Sequence, residues 1–267
     1  MLESVALNEI GGRQNNEDSI YRAKGSASTK DRLFLVCDGV GGQDKGEVAS
    51  KLITTHFPDY MKEDDRATLE GALRHAESRM NRYLTDRPET KGMASTLTVI
   101  NFDTDDQSAR VGWVGDSRIY QIREGQILFK SKDHSEVQSL VDMGEITEEE
   151  ALVHPRRNVI TRAVNGHTPA RMDEVALDDI QEGDYFLLCT DGLLETLHEK
   201  QFPDLFMADH SLEEIKAKLL TQARGNTKDN FSMYLLKLGA SGPEDLGDLI
   251  QSGLNKIGRM FRRFGTK

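Results

Sequence analysis

The sequence predicts an α+β fold in which two packed antiparallel β-sheets are flanked by helices, a four-layer sandwich. Three observations carry this. Apolar runs such as Leu33 to Cys37, Tyr185 to Thr190 and Phe231 to Leu238 have the length and character of strands buried on both faces. Strand signals at Ser95 to Asn101, Ala109 to Val114 and Ile119 to Ile122 follow one another closely, and Glu124-Gly125 offers a hairpin turn, so neighbouring strands pair antiparallel. Helical periodicity is confined to other stretches, which places helices outside the sheets.

Composition narrows the function classes. The chain has 267 residues, 37% hydrophobic and 30% charged, enough for one domain with a substantial core. A formal net charge of -11 argues against general nucleic-acid binding. The two cysteines, Cys37 and Cys189, each sit inside an apolar strand, and with no secretory signal they read as reduced core residues of a cytoplasmic protein. The apolar runs are too short to span a bilayer. A monomer is expected.

In chain order, short strands at Ser4 to Leu7 and Ser19 to Arg22 bracket Arg13-Gln14-Asn15-Asn16-Glu17-Asp18. After the glycine cluster at 39–42, a helix is expected from about Asp44 to His56, ending near Pro58, because proline removes a helical donor. A second helix from Ala67 to Leu84 carries Leu69, Ala72, Leu73, Ala76, Met80, Tyr83 and Leu84 on one face. The stretch 133–166 changes to short helical pieces and loop, with Thr147 and Glu150 spaced as a capping box. It reads either as a lid or recognition loop or as a surface excursion of no special role. Strands return at Met172 to Leu177 and Tyr185 to Thr190. A helix after Asp191-Gly192 and another from Leu212 to Arg224 precede the last strand, Phe231 to Leu238.

The expected division is one globular domain over residues 1–238 and a tail, 239–267, of linker and basic amphipathic helix. Leu246, Leu249, Ile250, Leu254, Ile257, Met260, Phe261 and Phe264 recur there at helical spacing, and Lys256, Arg259, Arg262, Arg263 and Lys267 face no acid. Docking on the protein itself or on a partner is favoured over contact with an anionic membrane surface, since three glycines weaken the helix.

The chemistry lies at the strand ends. Leu33 to Cys37 delivers Asp38 into a glycine cluster, Trp113-Val114-Gly115 leads to Asp116, Phe186 to Thr190 leads to Asp191, and Asp229 opens the last strand. One such site would be an ordinary Asp-Gly turn. Four carboxylates at the ends of core strands would repel one another, and divalent cations among them are the economical account. Beside such a cluster Arg13 is placed to hold a phosphate by a bidentate contact, and Glu17 and Asp18 to orient metal-bound water. The glycine cluster lacks the Gly-Lys-Ser/Thr ending of a phosphate loop, which disfavours nucleotide binding and favours metal-assisted chemistry.

RQNNED at 13–18, DGVGG at 38–42, Met93 to Leu97, GDSR at 115–118, TDG at 190–192 and DN at 229–230 stand in the order and spacing of the type 2C metal-dependent serine/threonine protein phosphatases. Over residues 1–238 the chain resembles a compact bacterial member of that family. The resemblance implies that Asp38 bridges two Mn2+ or Mg2+ ions, that the Gly39 carbonyl, Asp191 and Asp229 are further ligands, and that Asp116 helps hold a third ion. It implies that Arg13 binds the phosphate and that Glu17 and Asp18 hold metal-bound waters. The implied activity is hydrolysis of phosphoserine and phosphothreonine in proteins by activated water, opposing a Ser/Thr protein kinase. No covalent protein intermediate is needed.

One departure is Val40, where many eukaryotic relatives carry a histidine proposed to protonate the leaving oxygen. Here a metal-bound water, His134 or His154 would have to serve. A catalytically silent binding module, or a phosphatase acting on small molecules, are the alternatives.

Overall fold

The apolar runs become strands because each can bury both faces. The computed structural model describes residues 2–23, 27–40, 45–64, 66–103, 108–207 and 210–239. The helix expected in the tail lies outside them. In chain order the elements are β1 (Leu2–Glu9), β2 (Ser19–Tyr21), β3 (Leu33–Cys37), β4 (Gly39–Val40), α1 (Gly46–Glu63), α2 (Leu69–Asp86), β5 (Ala94–Ser95), β6 (Leu97–Asp103), β7 (Ser108–Val114), β8 (Arg118–Arg123) and β9 (Gln126–Lys130). There follow α3 (Glu136–Asp142), α4 (Glu148–Val153), β10 (Asp173–Leu177), β11 (Tyr185–Cys189), α5 (Asp191–Leu194), α6 (Phe202–Phe206), α7 (Leu212–Ala223) and β12 (Phe231–Leu238).

One antiparallel sheet has the order β1-β12-β11-β8-β9 and the other β10-β7-β6-β3-β2, with β4 and β5 forming a small separate ladder. Alternation along each strand distributes side chains among three cores. From β3, Phe34 and Val36 enter the layer between the sheets, while Leu35 and Cys37 pack outward against α1 and α2. From β11, Phe186 and Leu188 point inward, and Leu187 and Cys189 outward with residues of α6 and α7. Edge-to-face pairs, Phe34 with Tyr234 at 5.0 Å and Phe102 with Phe186 at 5.1 Å, join the two sheets across the middle. This is the expected sandwich.

Several boundaries differ from the sequence reading, each for a physical reason. Helix α1 continues through Pro58 to Glu63. The donor lost at Pro58 costs up to ~3 kcal/mol, but Tyr60 and Met61 beyond it pack into the outer core shared with α2. The expected strand 95–101 is divided at Thr96: Ser95 pairs with Gly39, and Leu97 onward pairs with β7. Strand β9 and helix α6 were not expected. β9 is the second arm of the hairpin at Glu124 and Gly125, whose φ values of 50° and 73° suit a primed turn. The capping box in α4 is present, with Thr147 accepting from the Glu150 N–H and Glu150 from the Thr147 N–H. The stretch 133–166 is closed on itself by paired Ser135 and Ile160, and tied to the body by the His134 N–H on the Gly115 carbonyl and by paired Ser95 and Val164. Among the described residues, no helix is long and apolar enough to cross a membrane.

Candidate metal centre

Five strand ends meet at one end of the sandwich. Asp38 follows β3, Asp191 follows β11, Asp229 lies just before β12, Asp116 lies in the turn between β7 and β8, and Asp18 precedes β2. Asp18 and Asp116 are buried and Asp38 and Asp191 half-buried, and withdrawal from solvent raises the pKa of each. Their mutual repulsion adds to that effect. Asp38 is pushed well above the usual carboxylate range by burial and by Asp18, Asp191, Asp116 and Asp229. Asp18 is pushed up to about 7, and Asp191 to about 6, with burial as the first cause in both. The structure therefore brings together the acids that the sequence singled out.

Asp38 feels the charge of Asp191 directly, which raises its proton affinity. Two carboxylates this close do not both ionise freely unless a cation lies with them. One oxygen of Asp18 and one of Asp191 are buried without a hydrogen-bond partner. Buried acceptors left open among like charges fit hard cations. Among the described residues, no three His, Cys, Asp or Glu side chains close around a single point. Mg2+ and Mn2+ retain several waters and take only one or two carboxylates each, so acids need not close around one point to hold them.

Arg13 is at the rim, its side chain 59% exposed, and forks onto Asp229 with Nε and Nη2 at 2.8 and 2.6 Å. The pair expected as phosphate holder and metal ligand are thus bonded to each other. Glu17 lies beside them, its pKa raised first by burial and then by Glu47. Backbones approach closely at two glycines. A Cβ at Gly39 would sit 2.2 Å from the Gly46 backbone, and one at Gly192 would sit 1.9 Å from the Asn230 carbonyl oxygen. Neither position has room for a side chain.

The sequence model of protein phosphatase 2C matches residues 9–219. The chain belongs to the protein phosphatase 2C family. It is 36% identical over 235 residues, 84% of this chain, to the serine/threonine protein phosphatase PstP of Mycobacterium tuberculosis, and spans 42% of that protein's length. Its fold matches the crystal structure of serine/threonine phosphatase Stp1 from Staphylococcus aureus with a TM-score of 0.78 and 29% identity, covering 90% of this chain and 96% of that one. It also matches the catalytic domain of PstP in complex with two manganese ions, with a TM-score of 0.74 and 30% identity, over 90% of this chain and 99% of the other.

Within this phosphatase 2C chain, side chains that the sequence reading passed over hold the acids in place. Asn230 accepts from the Glu17 N–H at 2.9 Å and donates to the Ile10 and Asn15 carbonyls at 2.7 and 2.8 Å. It staples the whole Arg13 segment to β12. Thr190 donates to Asp18 at 3.0 Å and accepts from the Ser232 N–H at 2.9 Å. Thr96 brackets Asp38, its hydroxyl accepting from the Asp38 N–H at 2.9 Å and its own N–H donating to the Asp38 carbonyl at 2.8 Å. Their only signal in the sequence was their place in the motifs, Thr190 and Asn230 beside an acid and Thr96 within Met93 to Leu97.

Replacing Asn230 by Ala removes three buried bonds, and we expect a loss of roughly 2–4 kcal/mol in a denaturant melt. Asn230→Asp should do little better, because a carboxylate cannot donate to the two carbonyls. Wild-type stability in both variants would show that the staple is not needed.

His134 is buried against Trp113, the rings stacked at 6.2 Å. Its Nδ1 accepts from the Gly115 N–H at 3.1 Å and its own N–H donates to the Gly115 carbonyl at 2.8 Å. Since Nδ1 accepts, Nε2 carries the proton and faces Asp173 at 3.3 Å. Both ring nitrogens are engaged, so His134 fixes the turn that carries Asp116 and is not free to protonate a leaving group. Nδ1 of His154 accepts from the Arg156 N–H at 3.2 Å. No bond joins His154 to the acids among the described residues. Val40 lies in the β4 ladder opposite Ala94 and supplies no proton.

Proposed function

We propose that this chain hydrolyses phosphoserine and phosphothreonine in proteins, using water activated at a centre of two Mn2+ or Mg2+ ions, and so opposes a Ser/Thr protein kinase. The observation that carries the reading is the cluster of mutually repelling acids withdrawn from solvent at the strand ends, each with its pKa raised by burial and by its neighbours. That arrangement is costly in a protein with no cation to place there. Family membership and the manganese-bound relative support it.

Asp38, the Gly39 carbonyl, Asp191 and Asp229 would hold the pair, Asp116 a third ion, and Glu17 and Asp18 the waters around them. Bound there, two divalent ions lower the pKa of water and neutralise phosphoryl oxygens. The protein's own share is positional. Thr96 and Thr190 fix the directions of Asp38 and Asp18. Arg13, at the rim, can exchange one fork acceptor, the Asp229 carboxylate, for another, a phosphoryl group. Neither histidine of the 133–166 stretch is placed as general acid, so that role falls to solvent held by the acids. Phosphoproteins made by a kinase on Ser and Thr are the substrates this reading assigns, and the unpaired, buried cysteines suit a reducing compartment such as the cytoplasm.

The test is phosphate release from a phosphothreonine peptide with Mn2+, with Mg2+ and with chelator. Release with metal that stops on chelation is expected, and none under any condition from folded protein would overturn the reading. Arg13→Ala should raise KM for the peptide roughly 10- to 100-fold, matching ~1.5–3 kcal/mol for a charge-assisted fork, with a smaller fall in kcat. An unchanged KM would remove Arg13 from phosphate binding.

A further inference from the structure

At the opposite end of β3 from Asp38, a cleft of about 360 Å3 opens between the end of β2, the start of β3 and the end of α1. By the ~3.3 Å rise of a strand it lies ~16 Å from Asp38. It is the reverse of the acid cluster in charge. Arg22, Lys30, Arg32 and Lys62 line it against Asp31 and Asp64. Both acids are already engaged, Asp31 by Arg22 at 2.5 Å and by the Ser28 N–H, and Asp64 by Arg66. Among the described residues no carboxylate pairs with Lys30, Arg32 or Lys62, in a chain whose net charge is -11.

Two donors belonging to lining residues lack a partner. The Tyr21 hydroxyl and the Arg22 Nε are buried with no hydrogen-bond partner. Orphaned donors beside unpaired cations call for an acceptor that is itself charged. The Tyr21 ring face is already covered, by the Arg22 guanidinium at 4.8 Å and the Lys62 ammonium at 5.4 Å. A nucleobase therefore has no face on which to stack, and recognition rests on charge and hydrogen bonds alone.

We propose that this cleft is a second anion site that takes a phosphate monoester or inorganic phosphate dianion, apart from the acid cluster and independent of metal. A phosphorylated segment of a protein substrate and free phosphate share this chemistry. The site does not depend on the hydrolytic reading, and its test is run in chelator, where hydrolysis is silent.

The experiment is a titration of the 15N-labelled full chain with inorganic phosphate, with a phosphothreonine peptide and with the same peptide unphosphorylated, followed by amide shifts. Saturable shifts are expected at Tyr21, Arg22, Leu33 and Lys62, with Gly192 unmoved. Lys62→Glu should weaken phosphate binding at least tenfold. Tyr21→Phe, which keeps the ring and the fold, should weaken it severalfold. Tighter binding of the phosphopeptide than of phosphate would assign the site to a phosphorylated protein segment, and equal binding would assign it to free phosphate. Absence of saturable shifts at these residues, equal binding of the unphosphorylated peptide, or undiminished affinity in both variants would overturn the proposal.

Discussion

Asp38→Asn is expected to abolish metal-dependent hydrolysis while making the metal-free protein more stable than wild type. Asp38 sits among Asp18, Asp116, Asp191 and Asp229, all of which push its proton affinity up. As the carboxylate proposed to be shared by two ions, its loss removes the bridge between them. Turnover of a phosphothreonine peptide should fall by roughly a thousandfold or more, since the ~4 kcal/mol of charge stabilisation that two ions supply disappears with them. The amide has nearly the same shape and still accepts a hydrogen bond, but it carries no charge into a crowd of like charges. In chelator, the melting temperature should therefore rise by a few degrees, about what ~1–2 kcal/mol gives in a domain of this size. Calorimetry and peptide turnover on one preparation check both halves. Wild-type turnover would exclude the two-ion centre, and a fall in metal-free stability would show that Asp38 holds the fold by some other means.

The second large effect is the pH dependence of the metal-free protein. Asp18 is raised from 3.8 to about 7 and Asp191 from 3.8 to about 6. A carboxyl with a raised folded pKa takes up its proton more readily in the native state than in the unfolded chain. Its contribution to stability is complete below the unfolded value, near 4, and is lost as pH climbs through the folded value. In chelator, stability should thus decline between about pH 4 and pH 7, opposite to the usual trend for paired carboxylates. The slope approaches ~1.4 kcal/mol per pH unit for each proton released, and the two groups together give on the order of 7 kcal/mol. Added Mn2+ should abolish the decline, because a cation stabilises the ionised acids. Melting curves from pH 4.5 to 8, with Mn2+ and with chelator, measure it. A metal-free stability that rises with pH over that window would mean the acids are not crowded as the structure has them.

Much of this was legible in the sequence because burial and repulsion leave marks there. A run such as Leu33 to Cys37 can only be a core strand, and a charged residue at its end asks for a partner. Asp38, Asp116, Asp191 and Asp229 were readable for that reason, and β12 from Phe231 to Leu238 was placed at both ends. What escaped were effects of tertiary contact. Pro58 looked like a helix end because local preference ignores the core that Tyr60 and Met61 join beyond it. The break at Thr96 was invisible because its cause, the bonds to Asp38, spans 58 positions. Asn230 stood next to a motif acid, yet its work is done on Ile10, Asn15 and Glu17 at the other end of the chain. The engagement of His134 could not be foreseen either, since it depends on Trp113 and Gly115 meeting it across a turn.

The acids come from both sheets: Asp18 and Asp38 flank strands of one, Asp191 and Asp229 flank strands of the other, and Asp116 rides on the chain crossing between them. The centre is therefore a clasp across a seam, and its spacing records how the two layers are aligned. Phe34 against Tyr234 and Phe102 against Phe186 act as the dowels that keep that alignment. A small sideways slip that barely alters buried area would open the clasp, so the chemistry demands more of the inner layer than folding does.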